Sequence, residues 1–567
     1  MRSRCFLPMA AACLAVMFLQ TAPGCSPAPT GTPEALIGQV TSAEEGPMEG
    51  VLVSAKKTGS TITVTVVSDA QGQYRFPQAK LEPGQYALST RAVEYELQGP
   101  VTVDVIPEET ATADLTLLRV PGSGLTNTEW ILSVTKEEEK EVLRNQQCVR
   151  CHTLERTVRS QYTEDEWVEV ITRMASYTTN SGANAPPQDS PNAEEILAAP
   201  STEQRLRQAK ILAGVNLSSG PQHSYELKTL PRPNGRATQV VYTEYDLPEF
   251  TRQPHDVIVD SEGVVWYNDF SDQLFGRLDP ATGEVKEFPL PLLDPEETRG
   301  SLCIRFDRDE NIWIGMFYQS AIAKFDRKTE QLEVFRIPPD LRAQGRGGRA
   351  RLTEVSPGSS HVDGKVWLIN SEMSGMHRLE LATETWETFQ PFPDDPVNIY
   401  DVLADSQNNA YFLAFGAEHI GTVNAKTGEI TVYPTPTRNS RPRRGSVDEQ
   451  DRLWFGEHNG DRIGMFDPRT EQIQEWKLPT SDSFPYDAVA DKNGHAWTGG
   501  MYSDRVARLN PETGEFIEYL LPRSTNIRRV WVDNATTLPT FWVGSNHGAS
   551  IIKLEPLDAV APGAETN

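Results

Sequence analysis

The segment Asp448-Glu449-Gln450-Asp451-Arg452-Leu453-Trp454 contains a repeated motif in which an aspartate precedes a tryptophan by six positions. The same spacing occurs at Asp260/Trp266, Asp307/Trp313 and Asp491/Trp497, and Asp405/Tyr411 keeps it with a different aromatic residue. Trp367 lacks the aspartate, and Asp533/Trp542 has three extra residues between its partners. The seven aromatic anchors are 47, 54, 44, 43, 43 and 45 residues apart. A repeat of about 45 residues with four short strands is typical of a β-propeller blade.

The two ends of this repeat region predict how the ring closes. The last repeat runs out after Ile551-Ile552-Lys553-Leu554, before the strand that completes each of the others. A spare strand of that type, Thr243 to Pro248, precedes the first repeat. We expect it to supply the outer strand of the last blade, which removes the open seam of the ring. The sequence therefore predicts a C-terminal seven-bladed β-propeller over residues 236–557.

The repeat text also carries a family resemblance. Pro254-His255-Asp256-Val257 through Trp266, and Leu453 to His458 through Arg462-Ile463-Gly464, resemble virginiamycin B (streptogramin) lyase. The resemblance implies a seven-bladed propeller that opens the ring of streptogramin B antibiotics by magnesium-dependent elimination. Because it covers blade-scaffold motifs, it predicts the fold more directly than the chemistry.

A small β domain is predicted at residues 35–120, where short alternating strands are separated by turn residues. Tyr74, Phe76, Tyr86 and Leu88 follow a two-residue spacing, which is typical of one face of successive strands. The pattern from Pro47-x-x-Gly50 to Pro83-Gly84-x-Tyr86 resembles the carboxypeptidase regulatory-like domain. That resemblance implies a transthyretin-like β-sandwich, acting as a spacer or as an adhesion or carbohydrate-contact module.

Residues 125–218 change to helical patterns and contain Cys148-Val149-Arg150-Cys151-His152. Two thiols at this spacing can bond the two vinyl groups of one haem, and the adjacent histidine can bind its iron. Half of a zinc site and a redox dithiol are the alternatives. Trp167, Val170, Ile171 and Met174 share one helical face, so Met174 is either the sixth iron ligand or a core methionine. The segment resembles a class I cytochrome c, which implies one covalent haem c.

The N-terminus predicts export. Residues 1–25 have a short basic region and an apolar run that is too short to span a bilayer. A lipoprotein signal with a lipid on Cys25 and a simple cleaved signal are the two alternatives, so we expect a periplasmic or cell-surface protein. The net charge of −26 argues against a nucleic-acid partner, and membrane attachment is expected only through that lipid.

Candidate functional residues of the propeller come from two positions of the repeat. Residues that lie ten and eleven positions before an aromatic anchor are expected at one mouth of the channel. Some residues that follow an anchor closely are expected at the same mouth. Candidates for the general base of an elimination are His458 with Glu457, His255 and His547. Candidates for binding an anionic ligand are Tyr400, Tyr486, Arg443, Arg444, Arg528 and Arg529.

These patterns predict a mainly β multidomain protein: a sandwich, a small α-helical cytochrome c domain and a propeller. The first functional hypothesis is an exported haem c protein in which electron transfer, to a redox partner protein or a small-molecule substrate, is coupled to ligand binding at the propeller. The second is a magnesium-dependent carbon–oxygen lyase acting on streptogramin-like cyclic esters. The third is a non-enzymatic sensor or glycan-binding module.

Overall fold

The computed structural model describes residues 33–178, 180–182, 184 and 187–557. From Glu34 onward the chain forms one compact unit. The predicted signal segment at 1–25, including Cys25, lies outside the described residues. A helix long and apolar enough to cross a membrane is absent from the part of the chain that the structure describes.

The first module is a β-sandwich, as predicted. In one sheet β1 pairs with β2, β5, β9 and β10, and β7 joins the sheet through β10; in the other sheet the order is β4-β3-β6-β8. Tyr74 and Phe76 of β5, and Tyr86 and Leu88 of β6, are all buried between the sheets, so each pair lies on the inner face of its strand as the two-residue spacing predicted, although the two strands belong to different sheets. The strands are β1 (Glu34–Ser42), β2 (Gly46–Pro47), β3 (Leu52–Lys57), β4 (Ile62–Val67), β5 (Gln73–Pro77), β6 (Gly84–Arg91), β7 (Tyr95–Leu97), β8 (Val101–Val105), β9 (Ala111–Thr112) and β10 (Leu115–Arg119).

The second module is helical. A capping box of Thr163 and Glu166 forms at the start of α5. A second capping box, of Thr126 and Glu129, forms at the start of α1, whereas α2 begins at Glu137 and has no side-chain cap. The helices are α1 (Asn127–Ser133), α2 (Glu137–Leu143), α3 (Gln146–Val149), α4 (Leu154–Val158), α5 (Glu164–Ala175), α6 (Ala193–Ala198) and α7 (Glu203–Val215).

The third module is the propeller. It begins with strand β11 (Val240–Asp246), and six four-stranded antiparallel sheets follow in chain order as blades one to six. Blades one and two contain β12 (Pro254–Val259), β13 (Val265–Asp269), β14 (Leu274–Leu278), β15 (Val285–Pro289), β16 (Ile304–Phe306), β17 (Ile312–Met316), β18 (Ala321–Asp326) and β19 (Gln331–Arg336). Helix α8 (Pro339–Gln344) precedes blade three. Blade three contains β20 (Leu352–Ser356), β21 (Lys365–Asn370), β22 (Gly375–Glu380) and β23 (Thr385–Phe389), with helix α9 (Ser360–Asp363) between β20 and β21.

Blades four to seven complete the ring. They contain β24 (Asp401–Ala404), β25 (Ala410–Ala414), β26 (His419–Val423), β27 (Ile430–Pro434), β28 (Pro442–Val447), β29 (Leu453–Glu457), β30 (Arg462–Asp467), β31 (Gln472–Lys477), β32 (Val489–Ala490), β33 (Ala496–Gly499), β34 (Arg505–Asn510), β35 (Glu515–Leu520), β36 (Val530–Asp533), β37 (Thr540–Ser545) and β38 (Ser550–Pro556). Blade seven consists of β36, β37 and β38 with β11 as its outer strand.

Strand β11 closes the ring, as the spare strand in the sequence predicted. It pairs antiparallel with β38 from Val240↔Pro556 to Asp246↔Ser550. Its other edge pairs antiparallel with β4 of the sandwich, from Val241↔Val66 to Tyr245↔Ile62. One sheet of eight strands therefore runs from blade seven into the sandwich, and neither edge of β11 is left open.

The aspartate–tryptophan repeat has a direct structural reason. The indole N–H of Trp497 donates to Asp491 at 2.8 Å, and the same bond forms at Trp266, Trp313 and Trp454. The second oxygen of Asp491 accepts the backbone N–H groups of Asn493 and His495 at 2.8 and 3.0 Å. One carboxylate therefore fixes both the hairpin turn and the tryptophan that packs between blades. In the Asp533/Trp542 pair, where the spacing is longer, the indole N–H has no partner in the described structure.

Replacing Asp491 with alanine removes these bonds and leaves the buried indole N–H of Trp497 unpaired. We expect Asp491→Ala to lower the free energy of unfolding by about 1–3 kcal/mol, measured by urea denaturation. The matched control is Asp533→Ala, at the repeat position that does not bond its tryptophan, with an expected loss below about 1 kcal/mol. Equal losses in the two variants would contradict this explanation of the repeat.

Candidate functional site at the propeller mouth

The helical segment, which contains α1 to α7 (residues 127–215), lies over one end of the propeller. Arg144 pairs with Asp482 at 2.7 Å, and the hydroxyl of Tyr502 donates to the carbonyl of Arg144 at 2.9 Å. The side-chain amide of Asn526 donates to the carbonyl of Val149 at 3.0 Å. Apolar side chains of α1 to α5 and of α7 share one core with Phe484, Tyr486, Met501 and Tyr502 of the propeller. This end of the channel is therefore the mouth that the helical segment covers.

Inside the channel, three buried arginines pair with three buried carboxylates. Arg444 makes two bonds to Asp256, at 2.8 and 2.9 Å, and also bonds Glu354. Arg305 pairs with Asp401 at 2.6 Å and with Glu354 at 3.4 Å, and Arg529 lies 3.7 Å from Asp256. Burial raises the pKa of Glu354 to about 7. Although burial opposes it, Arg444 holds the pKa of Asp256 below its usual range. The structure therefore gives Arg444 and Arg529 carboxylate partners within the protein.

A chain of hydrogen bonds leads from this network to the mouth. His255 Nδ1 lies 2.6 Å from Asp256 Oδ1, and His255 Nε2 lies 3.3 Å from the Tyr486 hydroxyl. The Tyr486 hydroxyl lies 2.7 Å from the Tyr400 hydroxyl, to which Arg443 donates at 3.2 Å. Because burial lowers the pKa of His255 to about 3, its ring is neutral. The proton then lies on Nδ1, facing Asp256, and Nε2 is an acceptor.

Tyr400 is the outer end of this chain and the one partly exposed member of it. Burial alone would raise the pKa of Tyr400, but Arg443 and Arg444 lower it below the ordinary value. Burial raises the pKa of Tyr486. Arg443 also stacks on the Tyr486 ring, at 4.0 Å from its centroid. The structure thus brings His255, Tyr400, Tyr486 and Arg443, all predicted site residues, into one cluster.

His458 and Glu457 have separate environments. His458 is buried beside Arg443, with Nε2 3.4 Å from the guanidinium, and burial together with Arg443 holds its pKa well below the ordinary value. Glu457 is fully buried, and the ionisable groups nearest to it are Glu475 and Arg462. Burial and Glu475 raise the pKa of Glu457 to about 9. Glu457 is therefore protonated at neutral pH and is not available as a general base.

The remaining propeller candidates lie where the helical segment meets blade seven. His547 Nε2 is 3.3 Å from the carbonyl oxygen of Arg150, and burial together with Arg528 lowers the pKa of His547 to about 4. Arg528 is 4% exposed, and one of its nitrogens lies 3.4 Å from Asn546 Oδ1. His547 therefore contacts the loop that carries the two cysteines, and Arg528 contacts Asn546, the residue before His547.

A cavity of about 1240 Å³ occupies the helical segment. Cys148, Cys151, His152 and Met174 all line it, together with the apolar face of α5 predicted at Trp167. Both cysteines are free thiols, and burial raises the pKa of Cys148 to about 11. His152 Nδ1 lies 2.8 Å from the carbonyl oxygen of Thr153, which orients the ring. The predicted haem residues therefore surround one space.

Two charged residues of the channel, Glu354 and Arg305, escaped prediction. In blade three, Ser356 pairs with Trp367, whereas Ile258 pairs with Trp266 in blade one. Helix α9 lengthens the blade-three hairpin by three residues, so that Glu354 takes the place that Asp256 has in blade one. Glu354 lies two residues before the residue that pairs with the anchor tryptophan, as Asp256 does in blade one, but thirteen residues before the anchor itself instead of ten. Arg305 lies directly opposite Trp313 and has no repeat signal.

Comparisons with known proteins agree with the architecture. The model of the virginiamycin B lyase family matches residues 234–448, which is less than half of the chain, and the model of the carboxypeptidase regulatory-like domain matches residues 35–118. The chain therefore contains a virginiamycin B lyase-like domain and a carboxypeptidase regulatory-like domain. None of the curated proteins matches it.

Among solved structures, lyases are similar to part of this chain. Selenomethionine-substituted virginiamycin B lyase from Staphylococcus aureus is 20% identical with a TM-score of 0.47, over 56% of this chain and 99% of that one. A catalytically inactive variant of that lyase with quinupristin gives the same four values. A streptogramin B lyase is 22% identical with a TM-score of 0.47, over 57% of this chain and 99% of that one. At a sequence identity of 20–22%, these structures do not assign an activity to this chain.

The first functional hypothesis, electron transfer coupled to ligand binding at the propeller, is wrong. The propeller matches a lyase family, and an elimination moves a proton and an electron pair without a redox partner. A group of three or more His, Cys, Asp or Glu side chains able to hold a metal ion is also absent from the described residues. The comparisons and the geometry favour the lyase hypothesis, and the cytochrome c family is not among the matching family models.

The buried Glu457 predicts a dependence of stability on pH. Its folded pKa of about 9 exceeds the ordinary value of 4.5, so the folded chain holds a proton that the unfolded chain releases. Its contribution to stability is complete below pH 4.5 and is lost as the pH rises toward 9. We expect Glu457→Gln to be more stable than the parent by more than about 1 kcal/mol at pH 8, and equal to it near pH 4.5, by urea denaturation. Glu471→Gln, at an exposed turn, is the control; a constant difference across this range would contradict the buried proton.

Proposed function

We propose that the propeller is a lyase that opens a cyclic ester of the streptogramin type, with its chemistry at the Tyr400 end of the hydrogen-bonded chain. The chain Asp256–His255–Tyr486–Tyr400 is the observation that carries this proposal. It resembles the acid–base relays in which a buried carboxylate orients a neutral imidazole, and the imidazole takes the proton of a hydroxyl group. The match to the virginiamycin B lyase family supports the same reaction class.

In the proposed step, Tyr400 removes a proton from the substrate carbon next to a carbonyl group. The hydroxyl proton of Tyr400 moves to Tyr486, and the proton of Tyr486 moves to His255 Nε2. The electron pair of the broken C–H bond forms a carbon–carbon double bond, and the ring C–O bond breaks with its pair on the leaving carboxylate. Asp256 stabilises the imidazolium that forms, and its own charge is held by Arg444.

Arg443 supplies positive charge where the enolate develops. Its guanidinium lies between the rings of Tyr400 and Tyr486, at 4.8 and 4.0 Å from their centroids, and bonds the Tyr400 hydroxyl. A buried guanidinium that is already in position needs no reorganisation during the reaction. The partly exposed Tyr400 and Phe415 give the substrate its approach to this point.

The family resemblance also implies Mg²⁺, and the described residues do not form a dedicated site for it. The channel carboxylates Asp256, Glu354 and Asp401 are held by arginines, and a group of three or more metal-ligating side chains is absent from the described part of the chain. Magnesium often uses only one or two carboxylates and several waters, so a titration of activity with Mg²⁺ remains the test of that expectation.

Removing the Tyr400 hydroxyl tests the relay. We expect Tyr400→Phe to lower kcat/KM for ring opening of a streptogramin B by about 100-fold or more, because the substrate proton then has no acceptor. His255→Asn should cause a loss of similar size, since Tyr486 then has no imidazole to accept its proton. The linear product is separated from the cyclic substrate by chromatography.

Tyr433→Phe is the matched control, because Tyr433 likewise has a hydrogen-bonded hydroxyl group but lies on the outer strand β27, where it donates to Glu471. Its activity should equal that of the parent. Two results would refute the proposal: a parent protein that does not open the ring at any Mg²⁺ concentration, or full activity in Tyr400→Phe together with a large loss in His458→Ala.

We further propose that the helical segment holds one covalent haem c as a structural cofactor. Each thiol, Cys148 and Cys151, would add across one vinyl group, with its proton going to the other vinyl carbon. His152 would bind the iron through Nε2, since Nδ1 faces the Thr153 carbonyl, and Met174 would be the sixth ligand. The supporting observation is that these residues line one cavity of about 1240 Å³, which is somewhat larger than common ligand sites, at about 300–1,000 Å³, and leaves room for a large cofactor. A bound haem would supply an iron that His152 and Met174 both bind, and this would stabilise the helical segment.

Covalent attachment is tested by a pyridine haemochrome spectrum of denatured protein after export with the haem-attachment machinery. We expect one haem per parent chain, and none in Cys148→Ala/Cys151→Ala. Cys303→Ala is the control, because this buried thiol lies between blades two and three and its loss should leave the haem in place. Met174→Ala should keep the haem but lose the iron–thioether absorption. A parent protein without covalent haem would refute the proposal.

A further inference from the structure

Unpaired polar atoms gather where the helical segment meets blade seven. Six buried atoms there have no hydrogen-bond partner among the described residues: Arg528 Nε, Arg150 Nε, Asn546 Nδ2, Asn526 Oδ1, Ser545 Oγ and His547 Nδ1. Most buried polar groups in proteins are hydrogen-bonded. The two arginine Nε groups, the Asn546 amide and the Ser545 hydroxyl can donate. Asn526 Oδ1 is an acceptor, and so is His547 Nδ1, because His547 Nε2 donates to the Arg150 carbonyl. Donors therefore outnumber acceptors in this cluster, and two of the donors belong to guanidinium groups.

The charge at this junction is also unbalanced. Arg528 is 4% exposed and forms no ion pair with any described carboxylate, whereas Arg305, Arg444 and Arg529 each have one. Burial, followed by repulsion from Arg443 and Arg150, lowers the pKa of Arg528. A buried charge without a counter-charge costs several kcal/mol. An anion at this place would remove that cost.

We infer that Arg528 and Arg150, with the Asn546 amide, form a binding site for a carboxylate. A planar carboxylate accepts from two guanidinium groups at once. The backbone of the Cys148–Cys151 loop is fixed to the propeller beside it, by Asn526 at the Val149 carbonyl and by His547 at the Arg150 carbonyl. Arg150 also lines the large cavity, so the Arg150 side of the site borders that space.

Two sources would supply this carboxylate, and both rest on the proposed function. One is the carboxylate that ring opening releases on the product. The other is a carboxylate side chain of the tetrapyrrole in the neighbouring cavity. The site itself follows from the propeller residues and from Arg150, so it survives if either part of the proposed function fails.

Sodium propionate is the probe, and binding is measured by isothermal titration calorimetry against sodium chloride at equal ionic strength. We expect Cys148→Ala/Cys151→Ala to bind propionate, and we expect Arg528→Met in that background to weaken the binding by about tenfold or more. Arg528→Met should also raise the thermal midpoint of the anion-free protein, because it removes an uncompensated buried charge. Arg508→Met, a buried arginine that stacks on Trp497 and Tyr519 in β34, is the control and should leave the affinity unchanged.

The parent chain separates the two sources. If it carries haem and does not bind propionate, the tetrapyrrole carboxylate occupies the site; if it binds propionate as the cysteine variant does, the site serves a free carboxylate. A parent without haem that binds propionate refutes the haem proposal alone. The carboxylate site is overturned if neither chain binds propionate, or if Arg528→Met binds it as tightly as its background does.

Discussion

The pairing of strand β11 along both of its edges is the interaction on which the rest of the structure depends. On one side β11 completes blade seven by pairing with β38, and on the other it pairs with β4 of the sandwich. The ring is thus closed by backbone hydrogen bonds between segments more than 300 residues apart in sequence. Closure fixes the distance between blades one and five, which brings Asp256 within 2.8 Å of Arg444. The channel network is therefore a consequence of the closed ring.

That network limits where chemistry can take place. The carboxylates of Asp256, Glu354 and Asp401 are each held by an arginine in the channel, and removing one partner would leave an uncompensated charge in the interior. The centre of the propeller is thus a packed polar core. The proposed chemistry therefore lies at the mouth, where Tyr400 is partly exposed and connects to Asp256 through Tyr486 and His255.

The blades could be predicted from the sequence because each Asp–Trp pair forms one hydrogen bond within its own hairpin. A bond between residues so close in sequence leaves the same spacing in every repeat that forms it. The sequence also predicted the ring closure, since the spare strand and the missing strand are of one type. The site was only partly predictable. Adjacent residues at a strand end reach different surroundings, so Glu457 and His458, which are neighbours in sequence, have different partners. Whether an arginine is paired depends on distant blades, and the sequence could not distinguish Arg528 from Arg529.

The two regions of the mouth share one aromatic ring. Arg443 and Arg528 lie 4.0 and 5.9 Å from the centroid of Tyr486, whose hydroxyl lies 2.7 Å from that of Tyr400. Positive charge near this ring favours the phenolate form of Tyr400, which a proton-abstracting tyrosine requires. A carboxylate at Arg528 would offset part of that charge, and the pKa of Tyr400 would rise. In the proposed reaction, an anion held at the junction with the helical segment would therefore weaken the base. Anion binding there and ring opening would then be coupled by electrostatics without any movement of the blades.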